Sequence, residues 1–107
     1  MVVYIREAHA LDSVAPLGGG AMPIVEDPAT LVERTEVAKR CMAKMALEPM
    51  PAVVDELDDA VNRAWGAWPD RLYLVGRDGT VAYQGGPGPF GFLPNELESA
   101  IRAEIGL

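Results

Sequence analysis

The sequence predicts a single α/β domain, and three observations predict it: short runs of β-branched and aromatic residues, apolar stripes at helical spacing between them, and turn chemistry at the junctions. Read along the chain, these give strand, long loop, helix, strand, helix, hairpin and helix. At 107 residues, half of them apolar, the chain fits one small domain and leaves no room for a second. No internal repeat is visible.

The first element is "MVVYIREAH". Val2 to Ile5 are four consecutive β-prone apolar residues bounded by charge, the pattern of a strand buried on both faces inside a parallel sheet. Residues 9 to 23, "HALDSVAPLGGGAMP", lack periodicity and read as a loop. The triple glycine is no phosphate cradle, because no GK[ST] follows and no helix starts directly after it. Asp27 and Pro28 supply a cap and a preset φ for a helix over residues 28 to 46. Leu31, Ala38, Met42 and Met45 form its apolar stripe, and Cys41 sits on that stripe as a small buried hydrophobe with no cation to activate its thiol.

Ala52 to Val54 make a short strand. Asp55, Asp58 and Asp59 then lead into a helix whose stripe is Leu57, Val61, Ala64 or Trp65, and Trp68, with the acids meeting the positive end of its dipole. An EF-hand reading fails, since "DELDDAVNRAWG" has no central Gly. Leu72 to Val75 and Thr80 to Gln84 flank Gly76, Arg77, Asp78 and Gly79, a hairpin signature. "GGPGPFGF" reads as a rigid turn that positions the last helix, which Pro94 and Asn95 open and which carries Leu97, Ala100 or Ile101, and Ile105 on one face.

Sixteen acids against nine bases disfavour phosphate backbones and anionic lipid, both of which need a clustered positive field, so neither nucleic acid nor membrane is expected as a partner. No apolar stretch spans a membrane and no cleavable leader is present; a cytoplasmic product is the expectation. Cys41 is alone. An internal disulfide, a CxxC pair and a cysteine-rich zinc site are thereby excluded, and any redox chemistry draws its partner thiol or selenol from elsewhere.

Glu7 and His9 stand two residues apart at the carboxyl end of the first strand, so their side chains leave on one face, where open α/β sheets place ligands. A carboxylate beside an imidazole fixes the ring's tautomer and raises its pKa, an arrangement suited to proton delivery near pH 7. The competing reading is a solvated loop histidine that happens to follow a Glu. Trp65, Trp68, Tyr73, Phe90 and Phe92 either line an aromatic pocket or, for the Trp pair, belong to a helix core.

Several segments together resemble the iodothyronine deiodinases and their bacterial relatives, a family of thioredoxin-fold selenoproteins. They are "VYIREAH" (Val3 to His9), "ER" (Glu33, Arg34), "AVNRAWGAWPDRLYLV" (Ala60 to Val75), "DGTVAYQGGPGPFGF" (Asp78 to Phe92) and "ELESAI" (Glu96 to Ile101). The resemblance implies a thioredoxin-like fold that is incomplete at its amino-terminal side, lacking the strand and active-site helix that carry a selenocysteine or cysteine. Met1 is then expected to be internal or a misplaced start, an upstream selenocysteine codon having been read as a stop. Without that strand, the edges of the Val2 to Ile5 and Leu72 to Val75 strands are expected to be unpaired.

By the same resemblance Glu7 and His9 are the acid–base pair of a thiol or selenol oxidoreductase. It would remove iodine from an aromatic such as an iodothyronine, using a thiol reductant and no other cofactor. Two departures bear on substrate. A second histidine ahead of "ER" is replaced by a segment reading "PIVEDPATLVER", and a basic residue in the GG-x-GP turn is replaced by Pro87. Arg71 is the residue left to meet a substrate's negative charge, unless it pairs with Asp70 or stays solvated. Peroxide reduction is a second outcome for the full-length form, because "WPDRLYLVGRDG" also resembles the glutathione-peroxidase strand and turn. A non-catalytic module that forms a homodimer through its strand edges is a third.

Overall fold

The computed structural model describes residues 1–8 and 26–107. Its elements follow the expected α/β order: β1 (Val2–Tyr4), α1 (Leu31–Lys44), β2 (Ala52–Val54), α2 (Ala60–Trp65), β3 (Tyr73–Val75), β4 (Val81–Gln84) and α3 (Pro94–Glu104). The strands form two separate sheets of two, β1 with β2 and β3 with β4. Two units result, Met1–Trp65 and Gly66–Leu107.

In the first unit β1 and β2 are parallel, with Val2, Val3 and Tyr4 opposite Ala52, Val53 and Val54. Val2 N–H donates to the Pro51 carbonyl and Asp55 N–H to that of Tyr4, so the ladder extends one residue past each strand. β1 is half-buried along its whole length, not buried on both faces, and among the described residues its one hydrogen-bonded neighbour is β2. α1 packs on β2. It begins at Leu31, three residues after the expected start, because Thr30 outcompetes Asp27 as the cap. Thr30 Oγ1 accepts from Glu33 N–H, while the Glu33 carboxylate accepts from the backbone of Thr30, a reciprocal capping box.

The core of this unit is Val37, Ala38 and Met42. Leu31 and Met45, placed on the stripe by their spacing, are 38% and 46% exposed at the helix ends. Position 34 on the buried face is an arginine.

α2 is a single six-residue stretch, so Leu57 and Trp68 fall outside it and the Trp pair is not a buried stripe; Trp65 is 41% and Trp68 51% exposed. The acids before it do cap, as the spacing suggested. Asp55 Oδ1 and Oδ2 accept from Val61 N–H and Asn62 N–H at 3.0 and 2.9 Å, and Asp58 Oδ1 accepts from Ala60 N–H at 3.1 Å.

The second unit is a hairpin with a helix on it. β3 and β4 are antiparallel, with a register shift between Leu74 and Val75. Gly76 N–H donates to the Thr80 carbonyl and Gly79 takes φ +83°, which only glycine adopts without strain. Asp78 Oδ1 accepts from both Thr80 N–H and Thr80 Oγ1, and these bonds hold its carboxyl below the ordinary carboxylate range. α3 opens at Pro94 and packs on both strands.

Candidate functional site

The first functional residue is fixed by β1. Tyr4 closes the strand, and its hydroxyl donates a short hydrogen bond to the Glu7 carboxylate three residues on. Burial, then this bond and the negative charge of Glu7, push the Tyr4 phenol well above its ordinary value. At neutral pH Tyr4 is therefore a protonated donor. Glu7 is half-buried with one acceptor site committed to it. His9, expected to share a face with Glu7, lies outside the described residues, as does the glycine-rich loop.

Cys41 is within electrostatic reach of this pair. Its thiol is only half-buried, not the fully enclosed hydrophobe its place on the stripe implied, and it donates to Met45 Sδ at 3.5 Å. Desolvation, followed by the charge of Glu7, raises its pKa, so the group is a neutral thiol near pH 7 and a poor nucleophile.

The residue that pattern reading left without a role is Arg34. Its side chain is 3% exposed; Nη1 donates to the Asp55 carbonyl at 3.2 Å, to the Glu56 carbonyl at 2.8 Å and to Asp59 Oδ1 at 3.3 Å. Its Nε–H is buried with no acceptor among the described residues. Arg34 thus clamps the corner between β2 and α2 against α1, and its charge acts on the Tyr4 hydroxyl in the opposite sense to Glu7. Only the "ER" pair hinted at it, since an arginine on an apolar helix face is otherwise read as solvated.

Arg71 introduces β3 in the second unit. Neither expected alternative holds: it forms no ion pair with Asp70 and it is not free in solvent. Its Nε donates to the Gly85 carbonyl at 2.7 Å and its Nη1 to the Gly66 carbonyl at 3.1 Å. The turn "GGPGPFGF" is built on the same edge. Gly85 N–H donates to Leu72, Gly88 N–H to Asp70 and Gly91 N–H to Pro87. Gly91 packs so closely on Gly86 that a Cβ there would lie 2.2 Å from the Gly86 carbonyl carbon. Phe90, at the tip, is 94% exposed, so its ring is not part of a buried pocket lining.

Among the described residues, no group of three His, Cys, Asp or Glu could hold a metal ion, and no helix is long and apolar enough to cross a membrane.

Comparison with known proteins decides the family. A family model described as iodothyronine deiodinase matches residues 1–104. The chain belongs to the iodothyronine deiodinase family. It is 37% identical over 99 residues to a thyroxine 5-deiodinase of Sparus aurata, covering 92% of this chain and 35% of that protein. It is 31% identical to a type II iodothyronine deiodinase of Petromyzon marinus, over 96% of this chain and 35% of the relative. A type I iodothyronine deiodinase of Xenopus laevis is 31% identical, over 94% and 38%. The chain thus spans little more than a third of the length of the deiodinases it matches.

Proposed function

We propose that this chain carries the acid–base part of a deiodinase-like oxidoreductase that reductively removes iodine from an aromatic substrate in the cytoplasm. The observation that supports the reading most directly is the Tyr4–Glu7 hydrogen bond at the end of β1, inside a family match that runs from residue 1 to residue 104. Tyr4 holds the Glu7 carboxylate in place, and in this reading Glu7 and His9 together supply the proton.

The net reaction replaces a carbon–iodine bond by a carbon–hydrogen bond. A selenolate or thiolate contributed by another part of the protein takes the iodine, and the proton relayed through His9 and Glu7 goes to the ring carbon. A thiol reductant then gives up two electrons, ending as a disulfide, and iodide leaves. Cys41, a neutral half-buried thiol, is not the nucleophile of this scheme.

The test is turnover of an iodothyronine by the full-length protein with a dithiol present. His9→Ala and Glu7→Gln should each slow iodide release by roughly 10²–10⁴-fold, the usual contribution of a positioned acid or base. Rates unchanged in both variants would remove the pair from the mechanism, and turnover of peroxide in place of the iodinated ring would move the chain to the peroxidase reading.

One observation favours a second reading. Among the described residues every strand is an edge strand, and such edges pair readily with another chain. Sedimentation at several concentrations checks for a homodimer formed this way; a strictly monomeric chain ends that reading.

A further inference from the structure

We infer that Arg34 is a positioning residue for the Tyr4–Glu7 pair, acting through Asp55; the inference rests on the function proposed above, which puts Glu7 in proton delivery. Asp55 N–H donates to the Tyr4 carbonyl at 2.8 Å, the ladder bond that closes β1. The Asp55 carbonyl accepts from Arg34 Nη1 at 3.2 Å. The amide that fixes Tyr4 and the carbonyl that Arg34 grips thus belong to one residue, and a shift of one moves the other. Asp55 is 1% exposed, and its carboxylate is taken up at α2 by Val61 N–H and Asn62 N–H. From Tyr4 the hydroxyl carries the connection on to the Glu7 carboxylate.

Arg34 makes the fixed end of this chain of bonds. It stands one turn into α1, where its backbone N–H donates to the Thr30 carbonyl at 3.0 Å and the capping box pins the helix start. The same Nη1 also reaches the Glu56 carbonyl at 2.8 Å and Asp59 Oδ1 at 3.3 Å, so two successive peptides of the corner are held from one atom. Val37, Ala38 and Met42 make the rest of this helix face apolar. A guanidinium 3% exposed, its Nε–H unmatched among the described residues, carries a desolvation cost that an apolar side chain would avoid. What it adds is direction, in bonds to particular carbonyls.

Proton delivery is sensitive to such placement, since a displacement of about 1 Å can slow a reaction by a factor of about 10². Arg34 therefore reaches the reaction without touching the substrate.

The experiment measures iodide release from an iodothyronine by the full-length protein with a dithiol present, in wild type, Glu7→Gln, Arg34→Lys and the double variant. Arg34→Lys keeps the positive charge but ends one bond short of Nη1. It is expected to lower kcat by roughly ten- to hundredfold with KM unchanged, and to add nothing to Glu7→Gln, because a residue acting through Glu7 has no separate contribution. The Tyr4 Cζ resonance, assigned through Tyr4→Phe, reports the bonding of the hydroxyl; Arg34→Lys should move it in the direction that Glu7→Gln does. Asp58→Ala removes a cap bond from the same corner but none from Asp55, and should leave rate and resonance as they are. Rates that multiply in the double variant, or a Tyr4 resonance that Arg34→Lys leaves in place, overturn the inference. If Arg34→Lys loses wild-type helicity, Asp59→Asn takes its place in the same cycle. Asn tolerates the φ of +58° at that position and weakens one of the three partners of Nη1, so turnover should slow, again with nothing added to Glu7→Gln. A Glu7→Gln protein that turns over at the wild-type rate sinks the proposed reaction, and the Tyr4 resonance then decides the positioning alone.

Discussion

Arg34→Ala removes the clamp at the corner between β2 and α2. Three hydrogen bonds are lost, to the carbonyls of Asp55 and Glu56 and to the carboxylate of Asp59. Breaking a buried ion pair from one side costs about 3–5 kcal/mol. The Asp59 side chain is 20% exposed, and water can solvate it once the guanidinium is gone, which places the loss at the lower end, about 3 kcal/mol. For a chain of 107 residues the unfolding entropy is about 0.22 kcal/mol/K, so Tm should fall by roughly 14 °C.

Urea unfolding followed by far-UV circular dichroism is the assay, with the m-value checked for constancy so that the midpoint shift reports stability alone. Arg34→Lys should recover less than half of the loss, because the lysine ammonium ends one bond short of Nη1, the atom that makes all three bonds. A loss below about 1 kcal/mol for Arg34→Ala would refute the reasoning, since that is the scale of an exposed pair. So would full recovery by lysine.

Asp55→Ala, which removes the acceptor for Val61 N–H and Asn62 N–H, should cost about 1–2 kcal/mol and unravel α2 first, seen as early loss of amide protection at residues 60–65. Gly91→Ala forces a methyl against the Gly86 backbone; urea unfolding should show a loss of at least ~1–3 kcal/mol, with the Gly88 and Gly91 amides deprotected. Tyr4 has a raised pKa in the folded chain, so its contribution is fully present below the ordinary phenol value of about 10 and lost as pH rises toward the folded value. Stability should thus fall more steeply above pH ~10 in the wild type than in Tyr4→Phe, measured by urea midpoints at stepped pH. The raised Cys41 thiol should react with iodoacetamide more slowly at pH 8 than a free cysteine does, and catch up only as the pH is raised; reaction at the free rate at pH 8 would contradict the burial and the Glu7 field.

Element type and order were legible because each depends on local chemistry: β-branched runs for the strands, Pro94 for the last helix, Gly76 to Gly79 for the hairpin. What misled was competition between local signals. Asp27 and Thr30 both look like caps, and only the reciprocal Glu33 bond makes Thr30 win. The Trp65 and Trp68 spacing mimics a helix stripe, yet α2 stops at Trp65, where Gly66 takes φ +56°. For the site, Glu7 and His9 were singled out together by their spacing at a strand end and by the family resemblance, and of the two only Glu7 lies among the described residues. The Tyr4–Glu7 bond needed coordinates, because Tyr4 also satisfies the pattern of a core strand residue. Arg34 and Arg71 were hard for one shared reason: their main acceptors are backbone carbonyls, which leave no trace in side-chain pattern.

The two sheets also differ in how far apart their partners lie along the chain. Tyr73 finds Gln84 eleven residues on, whereas Val2 must find Ala52 fifty residues on. Closing the longer loop costs roughly 1.3 kcal/mol more in chain entropy, before any ladder bond repays it. The hairpin and α3 therefore have the faster route to structure. Although Val2, Val3 and Tyr4 leave the ribosome before Ala52 to Val54, the ladder between them cannot close until that later strand has been made.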